Sequence, residues 1–300
     1  MQLVPLGNTG LQITRLGVGL AEIGNLGLDE VEEVGRVLNT ALDFGVNFLD
    51  TAACYGNSEE LIGRTVAHRR EEYVLATKCG HVTGGYNGQP WTAQTIRDSI
   101  DRSLQRMRTG HLDLVQLHSC SLEVLERGEV IQTLQEARNE GKTRFIGYSG
   151  DNEDAAWAVN SGLFDTLQTS FSLVDQNARK GLLQAAESKG MGVIIKRPIA
   201  NGVWGAERSD RAYTDEYFRR AGAMQAEGEL PGSPQDRIRL AMAFTFAHSE
   251  VDVAIVGTSN PAHMQSNIEM IENGLSLPGE TLQELYRRFD RMGQNWQQLE

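Results

Sequence analysis

The stretch LDTAACYGNSEELIG, residues 49–63, decides the fold because it reads as a buried strand, a short loop and the start of a helix. Its apolar run ends in Asp50, and Tyr55 follows five positions later. Residues 56–60, Gly-Asn-Ser-Glu-Glu, have the small polar and acidic side chains that favour a helix N-terminus. The stretch therefore predicts a strand–loop–helix unit, in which Asp50 and Tyr55 belong either to a turn and its packing or to part of an active site.

The same unit recurs along the rest of the chain. Strand-like apolar runs lie at 16–20, 46–50, 73–78, 112–118, 144–149, 165–170, 192–196 and 252–256. Helical patterns lie at 30–44, 58–69, 92–108, 124–139, 152–160, 175–189, 234–248 and 261–272. Eight strands, each followed by a helix, predict an α/β fold, the closed (β/α)8 TIM barrel. A doubly wound parallel sheet is the alternative, because short apolar runs alone do not distinguish the two.

Three segments fall outside this repeat. The sequence predicts an N-terminal β-hairpin around Asn8-Thr9-Gly10, a long connection over 199–233, and a C-terminal extra helix with a tail over 279–300. Long connections in compact domains often carry function. No shift of composition marks a linker, so residues 1–300 are predicted to form a single domain.

Composition and charge exclude several classes of protein. Of the 300 residues, 40% are hydrophobic and 23% are charged, and the formal net charge is −12. Without a Lys/Arg-rich block the chain is not expected to bind nucleic acid. No apolar run is long enough for a membrane span, and the N-terminus has no secretory pattern. Three cysteines without a CxxC motif indicate reduced thiols in a cytoplasmic protein.

Chemically active side chains follow three consecutive predicted strands. The second strand ends in Asp50 with Tyr55 just beyond it, the third ends in Lys78, and the fourth ends in His118. In such barrels the active site is built at the carboxyl ends of the strands. Taken singly, each residue has an ordinary structural interpretation, as a helix cap, an ion pair or a core histidine. Their joint placement on one rim favours an active site.

This set of groups can perform proton chemistry on a carbonyl. Lys78 beside Tyr55 is expected to favour the phenolate and bring the pKa of the phenol closer to neutral. Asp50 would compensate the charge of Lys78, and His118 could donate a hydrogen bond to a substrate oxygen. None of them can donate a hydride, so carbonyl reduction requires a reduced cofactor.

With these residues in place, the chain resembles the aldo-keto reductase superfamily over nearly its full length. The matching segments are NFLDTAACYGNSEELIG (47–63), YVLATKCG (73–80), LDLVQLHS (112–119), RFIGYSG (144–150) and IVGTSNPAHMQSNIE (255–269). The resemblance implies a (β/α)8 barrel that binds NADPH or NADH without a Rossmann domain. It also implies a catalytic tyrosine at Tyr55, supported by Lys78, Asp50 and His118.

The resemblance implies a nicotinamide site at the ends of the fifth to seventh strands. Ser149 and Gln168 match family residues that contact the carboxamide, whereas Gly150 replaces the usual asparagine. Lys196 stands where the family has a tyrosine that stacks on the nicotinamide, and stacking is therefore expected to be weaker or supplied otherwise. The loop expected to lie over the pyrophosphate contains Arg197, Asn201 and Gly202.

The segment after the eighth strand implies the contacts to the adenosine end. Many NADPH-preferring members carry a lysine and an arginine here, and these positions are Gly257 and His263. Thr258 and Asn267 remain as polar contacts. Because cations favour a ribose 2′-phosphate, their loss makes NADH use credible, unless Arg197 supplies the charge.

Other sites and functions were weighed against this interpretation. A Rossmann motif fails, because its third glycine would fall at Glu22. The cysteines near the site, Cys54, Cys79 and Cys120, are expected to pack at the barrel mouth, where oxidants or thiol reagents would impair turnover. With His81 close by, they still show no ligand spacing typical of a metal site. Tyr86 and Trp91, in the loop 79–91, could shape a substrate pocket or simply pack the loop.

The sequence therefore predicts an NAD(P)-dependent oxidoreductase that interconverts a small-molecule aldehyde, ketone or sugar carbonyl and its alcohol. Two rival functions remain open. One is a Schiff-base aldolase that uses Lys78. The other is a cofactor-sensing, non-catalytic subunit, as the ion-channel β subunits of the superfamily suggest.

Overall fold

The computed structural model describes residues 1–205, 208–209, 212–296 and 298–299. Positions 206, 207, 210 and 211 of the predicted long connection, and 297 and 300 of the predicted tail, lie outside the described residues. Within the described part, an N-terminal hairpin is followed by a closed barrel with helices packed around it. The predicted hairpin is confirmed as the antiparallel pair β1 (Leu3–Pro5) and β2 (Gln12–Thr14).

Eight parallel strands form the barrel, and the last strand pairs with the first. They are β3 (Leu16–Gly19), β4 (Phe48–Asp50), β5 (Val74–Cys79), β6 (Leu112–His118), β7 (Thr143–Ser149), β8 (Thr166–Ser170), β9 (Gly192–Lys196) and β10 (Val253–Gly257). All eight predicted strands are present. The closure of β10 on β3 confirms the TIM barrel and rules out the doubly wound sheet.

Helices surround the barrel, mostly where the spacing of apolar residues predicted them. They are α1 (Val31–Asp43), α2 (Ser58–Thr65), α3 (Ala93–Arg106), α4 (Leu122–Arg127), α5 (Glu129–Asn139), α6 (Asn152–Ser161), α7 (Leu182–Ser188), α8 (Ala212–Ala226), α9 (Arg237–Phe246), α10 (Pro261–Glu272) and α11 (Gly279–Met292). None of these described helices is both long and apolar enough to cross a membrane.

Three segments differ from the expectation. Over 175–189, where one helix was predicted, α7 begins only at Leu182, after Gly181 with its left-handed φ of 113°. The helix predicted over 124–139 is divided into α4 and α5 at Gly128, whose φ of 74° is left-handed and interrupts the helix. The connection predicted over 199–233 contains α8, which sequence periodicity did not reveal.

The inward faces of the strands change from apolar to polar toward the carboxyl end of the barrel. On β4, Phe48 belongs to the cluster that fills the barrel interior, and Asp50 lies two positions further along the same face. On β5, Val74 and Ala76 belong to that cluster, and Lys78 continues their face. Because strand side chains alternate, the same period that builds the apolar interior brings polar groups to one rim.

The amino end of the barrel is closed by the hairpin. Leu6, Leu11 and Ile13 are buried in the same interior cluster as Ile194 and Val253. Burial of each such side chain stabilises the fold by about 1.5–3 kcal/mol. The hairpin and the loop within it therefore cover the amino end of the described barrel, and the polar strand ends lie at the opposite, carboxyl rim.

Candidate active site

A buried ion pair forms the base of the site. Lys78 Nζ lies 2.5 Å from Asp50 Oδ1 and donates to the Thr51 carbonyl at 2.8 Å. Asp50 and Lys78 are each only 1% exposed. Burial lowers the pKa of Lys78, but the charges of Asp50 and Tyr55 outweigh that effect, so the pKa is raised. The ammonium therefore stays charged, as the pairing with Asp50 predicted.

Tyr55 lies directly above this pair. The centre of its ring is 5.0 Å from Lys78 Nζ, and it meets the His118 ring edge-on with centroids 5.6 Å apart. Burial raises the pKa of the phenol and Lys78 lowers it, with the net result above the ordinary value. Lys78 thus lowers the pKa of Tyr55, as predicted. The prediction that the pKa of Tyr55 moves toward neutral is wrong, because desolvation is the larger effect.

His118 completes the predicted group of four at the end of β6. Burial and the charge of Lys78 hold its pKa well below the ordinary value, so the imidazole is neutral at pH 7. Its Nδ1 lies 3.3 Å from Cys54 Sγ, and its ring stacks on His81 with centroids 4.9 Å apart. A neutral imidazole can donate one hydrogen bond to a substrate oxygen while its other nitrogen accepts one.

The loop that carries Tyr55 is held by a close backbone contact. The Asn57 amide donates to the Gly24 carbonyl at 3.0 Å. A Cβ on Gly24 would lie 2.1 Å from the Tyr55 carbonyl oxygen, so only glycine permits this approach. Gly56, with a φ of 46°, turns the chain into α2 immediately after Tyr55. The loop geometry is therefore fixed by the two glycines that flank this contact.

Glu59 anchors the same loop from beneath, and sequence reasoning assigned it only a helix N-terminal role. Its Oε1 accepts hydrogen bonds from Thr77 at 2.8 Å and from Ser103 at 2.6 Å, while Arg106 lies 3.4 Å from Oε2. Burial raises the pKa of this carboxyl, and the two hydroxyls and Arg106 lower it in part. Glu59 thereby ties the start of α2 to β5 and α3.

Two glutamines and a serine extend the polar network across the barrel. Gln168 Nε2 donates to Asp50 Oδ2 at 2.8 Å, and Gln116 Nε2 donates to the same oxygen at 3.3 Å. Ser149 Oγ donates to Gln168 Oε1 at 2.9 Å. Gln116 was not predicted, although it shares the inward face of β6 with His118, two positions away. Its Oε1 has no hydrogen-bond partner among the described residues.

The ends of β7 and β8 have the donors and acceptors that a nicotinamide carboxamide requires. Ser149 and Gln168 are paired in register on neighbouring strands, and both are buried. The asparagine missing at Gly150 has a physical explanation, since a Cβ there would lie 2.5 Å from the Tyr148 hydroxyl. Ser149 and Gln168 therefore offer the hydrogen-bonding groups that a carboxamide needs.

Lys196 is engaged in a second ion pair at the end of β9. Its Nζ lies 2.9 Å from Asp151 Oδ2, which also accepts the Ser170 hydroxyl at 3.0 Å. Burial lowers the pKa of Lys196, although Asp151 opposes this shift. The ammonium thus faces Asp151, and this position offers no aromatic face to a nicotinamide.

The turn after β9 places the predicted pyrophosphate loop on the same rim. Arg197 and Asn201 have left-handed backbone angles, with φ of 60° and 56°, and Gly202 has a φ of 80°. The Arg197 guanidinium donates to the Leu299 carbonyl of the C-terminal tail. The tail therefore lies against this loop at the mouth of the barrel.

The residues predicted to contact the adenosine end lie directly after β10 and in α10. Thr258 Oγ1 accepts the Asn260 amide at 3.0 Å, and Asn260 caps the first turn of the helix. His263 is exposed in that turn, and Asn267 follows one turn later. Thr258 directly follows β10, and Asn267 lies in the middle of α10, so contacts of this set with the adenosine end stay a prediction.

An acidic residue borders Gly257, the position at which the resemblance implied the loss of a lysine. A Cβ on Gly257 would lie 3.4 Å from the Cγ of Glu22 and 3.2 Å from the Gly19 carbonyl oxygen. Glu22 was considered at the sequence level only as a mismatch to a Rossmann glycine. A carboxylate here disfavours a second negative charge such as a 2′-phosphate.

The three cysteines do not share one location. All are free thiols, but only Cys54 lies at the barrel mouth, where it contacts His118. Cys79 and Cys120 are buried between the barrel and its helices, and burial raises the pKa of Cys120 to about 12. The expectation that all three pack at the mouth is therefore wrong for two of them, because alternation along β5 directs Cys79 outward.

The two aromatic residues of the loop 79–91 differ in role: one packs the loop onto a helix, and the other lies near the site. The Tyr86 hydroxyl donates to Asp98 on α3 at 2.6 Å, which packs this part of the loop onto the helix. Trp91 instead lies edge-on to His81, with centroids 5.2 Å apart. Trp91 therefore belongs to the surroundings of the site.

Comparison with known proteins adds independent findings. Residues 15–285 match the family model of the Aldo/keto reductase family. The chain is 28% identical over 300 residues to L-galactose dehydrogenase of Arabidopsis thaliana, covering 95% of this chain and 93% of the relative. It is 26% identical to the NADH-specific methylglyoxal reductase of Escherichia coli, covering 94% and 97%. The structure of aldo-keto reductase AKR11C1 from Bacillus halodurans (holo form) superposes with a TM-score of 0.81 at 24% identity, covering 96% of each chain.

Proposed function

Because the chain belongs to the aldo/keto reductase family, we propose that it is an NAD(P)-dependent oxidoreductase of small aldehydes, ketones or sugars, with Tyr55 as the proton donor. The observation that carries this proposal is the position of the Tyr55 ring above the buried Asp50–Lys78 pair and beside neutral His118. The whole chain acts in this proposal as a single catalytic domain.

A bound nicotinamide cofactor would be the source of the hydride for the carbonyl carbon. Tyr55 gives its proton to the carbonyl oxygen, while His118 donates a hydrogen bond that orients this oxygen. Lys78 stabilises the phenolate left on Tyr55, and Asp50 keeps Lys78 in place. In the oxidative direction Tyr55 accepts the proton of the alcohol. Ser149 and Gln168 would hold the carboxamide.

NADH is the cofactor that the adenosine end supports best. Gly257 and His263 replace the cations that would bind a 2′-phosphate, and Glu22 adds a nearby carboxylate. A relative whose name specifies NADH agrees with this choice. Replacing Glu22 with glutamine removes the acidic charge, so we expect Glu22→Gln to improve NADPH binding more than NADH binding.

Small sugars and dicarbonyls are the first substrates to test. The names of two relatives indicate L-galactose and methylglyoxal as substrates of those proteins. The groups at this rim, a phenol, an imidazole and an amide network, suit a small polar carbonyl compound.

A cofactor titration followed by a substrate panel tests the proposal. NADH and NADPH binding is measured by fluorescence, and turnover is then measured with aldehydes, ketones and sugars in both directions. Tyr55→Phe should bind the cofactor normally but lose at least about 100-fold in kcat, the usual contribution of a general acid. Tyr73→Phe is the matched control. The Tyr73 hydroxyl that this variant lacks donates to the Val66 carbonyl near the opposite end of the barrel. A Tyr55→Phe variant that turns over like the unmodified protein contradicts the assignment.

The rival functions make different demands on the same residues. A Schiff-base aldolase needs an unprotonated lysine, whereas Lys78 is held as a charged donor to Asp50 and its pKa is raised. Borohydride trapping of a substrate on Lys78, with turnover that needs no nicotinamide, would favour the aldolase. A cofactor-sensing subunit would bind the nucleotide without turnover of any carbonyl in the panel and would retain a stable partner in a pull-down.

A further inference from the structure

We propose that Cys54, His81 and His118 form a binding site for a thiophilic divalent cation such as Zn²⁺, which would inhibit the enzyme reversibly. One sulfur and two ring nitrogens of these residues lie within 4.8 Å of one another. Cys54 and His81 follow β4 and β5, and His118 is the last residue of β6, so neighbouring strands bring the three residues together although their sequence spacing gives no metal motif.

The distances are close to those of a zinc site. Zinc bonds of about 2.3 Å to sulfur and about 2.0–2.1 Å to nitrogen place tetrahedral ligand atoms about 3.5 Å apart. Cys54 Sγ and His118 Nδ1 are 3.3 Å apart already. The other pairs of ligand atoms lie within 4.8 Å of one another, so they have to approach by at most about 1.3 Å for zinc to be bound.

The second imidazole is held in place by its neighbours. The His81 ring lies between the edge of Trp91, 5.2 Å away, and the face of His118, 4.9 Å away. Trp91 can pack there because Gly80 has no side chain: a Cβ on Gly80 would lie 1.9 Å from the Trp91 ring. These contacts keep the His81 ring beside His118 at the rim.

The chemistry of the ligands selects the class of cation. One thiol and two imidazoles favour zinc and similar metals over Mg²⁺ or Ca²⁺, which require oxygen ligands. Lys78 lies nearby as a charged group, with its ammonium paired to Asp50. All three side chains are partly exposed, so a cation can enter from solvent. Three protein ligands leave a fourth position open, which is typical of sites that exchange ligands and not of closed structural sites.

Occupancy of this site would interfere with catalysis. The cation would engage a nitrogen of His118 and, together with the Cys54 thiolate, add one net positive charge near Tyr55. The geometry that positions a substrate oxygen would therefore be lost until the metal is removed by a chelator.

Direct binding measurements test the proposal without depending on turnover. Protein freed of metals with EDTA is titrated with ZnCl₂ by calorimetry, and with CoCl₂ by absorption spectroscopy. One equivalent of zinc should bind, and cobalt should produce a thiolate-to-metal charge-transfer band. Cys54→Ala and His81→Phe should each weaken zinc binding by at least about tenfold. His81→Phe keeps an aromatic ring between Trp91 and His118, and Cys54→Ser is a second variant that preserves the size of the side chain.

A matched control separates this site from adventitious binding. His68 is an exposed histidine on the amino side of β5, so His68→Asn should leave zinc affinity unchanged. The proposal is overturned if the unmodified protein shows no saturable zinc binding, if Cys54→Ala and Cys54→Ser bind zinc with unchanged affinity, or if the cobalt band is absent. Because no cofactor or carbonyl is present, failure of the proposed enzymatic function would leave these outcomes unaffected.

Discussion

Tyr55 is subject to two opposing influences on its acidity. Burial disfavours the phenolate, and the ammonium of Lys78 favours it, with burial the larger of the two. The phenol therefore remains protonated throughout the physiological range, which suits a proton donor for reduction. The nearby imidazole of His118 has its pKa lowered by burial and by Lys78, so it does not change charge in this range either.

These two pKa shifts predict different pH profiles for the two directions of the reaction. Reduction needs protonated Tyr55, so its kcat should stay level between pH 6 and 9. Oxidation needs the phenolate, whose fraction rises about tenfold per pH unit below the pKa, so its rate should increase with pH. Rates are measured at saturating cofactor, with a deuterated hydride donor to verify that hydride transfer limits turnover. A reduction rate that falls steadily from pH 6 to 8 would contradict the raised pKa of Tyr55.

Helix α2 depends on a carboxylate that points into the protein. Replacement of Glu59 by alanine leaves the buried hydroxyls of Thr77 and Ser103 without their acceptor. We expect Glu59→Ala to lower the free energy of unfolding by about 1–3 kcal/mol. Glu59→Gln keeps a carbonyl oxygen for both hydroxyls and removes a charge that burial disfavours, so it should lose much less. Urea unfolding of both variants checks this, and equal losses would show that the hydroxyl contacts are unimportant.

The strands of the barrel could be predicted because the alternation of side chains that indicates a strand lies within the strand's own sequence. Period-two alternation on β4 and β5 gave both the apolar interior and the polar ends Asp50 and Lys78. Contacts that cross the barrel were not predictable, since Gln116 reaches Asp50 from 66 residues away. The net pKa of Tyr55 was missed for a similar reason, because desolvation depends on everything packed around the ring.

Around the site, too, some features could be predicted from the sequence and others could not. The strand-end residues Ser149 and Gln168 occupy neighbouring positions because the register of β7 and β8 brings them together. Helix α8 escaped prediction because its apolar residues lack a clear helical stripe in the sequence. The buried roles of Glu59 and Asp151 were missed because acidic residues at a helix start have an ordinary explanation in the N-terminal dipole.

Over the whole molecule, the C-terminal tail joins the barrel around a buried carboxyl group. Asp175 is 1% exposed, and its Oδ2 accepts the Leu299 amide at 3.3 Å. Its Oδ1 has no hydrogen-bond partner in the described part of the chain. Burial, with a smaller contribution from the charge of Asp151, raises the pKa of Asp175 to about 8. The folded protein therefore holds a proton here at pH values where the unfolded chain has released it.

This difference in proton binding couples the stability of the fold to pH. Between the unfolded pKa of 3.8 and the folded pKa of about 8, the unfolded state binds fewer protons, so stability falls as pH rises. The slope attributable to Asp175 is at most about 1.4 kcal/mol per pH unit. Asparagine cannot ionise, so Asp175→Asn should become progressively more stable than the unmodified protein from pH 5 to pH 8. Urea unfolding at several pH values measures the difference.

A second aspartate provides a control with the opposite electrostatic environment. Asp290 is exposed on α11 and hydrogen-bonds Arg179, which lowers the pKa of this carboxyl. It is ionised in both the folded and unfolded states above pH 5, so Asp290→Asn should change stability by an amount that does not vary up to pH 8. If Asp175→Asn behaves in the same pH-independent way, Asp175 is already ionised in the folded protein. The carboxylate would then be stabilised as a charge beneath the tail, and the Leu299 amide would donate to it a charge-assisted hydrogen bond.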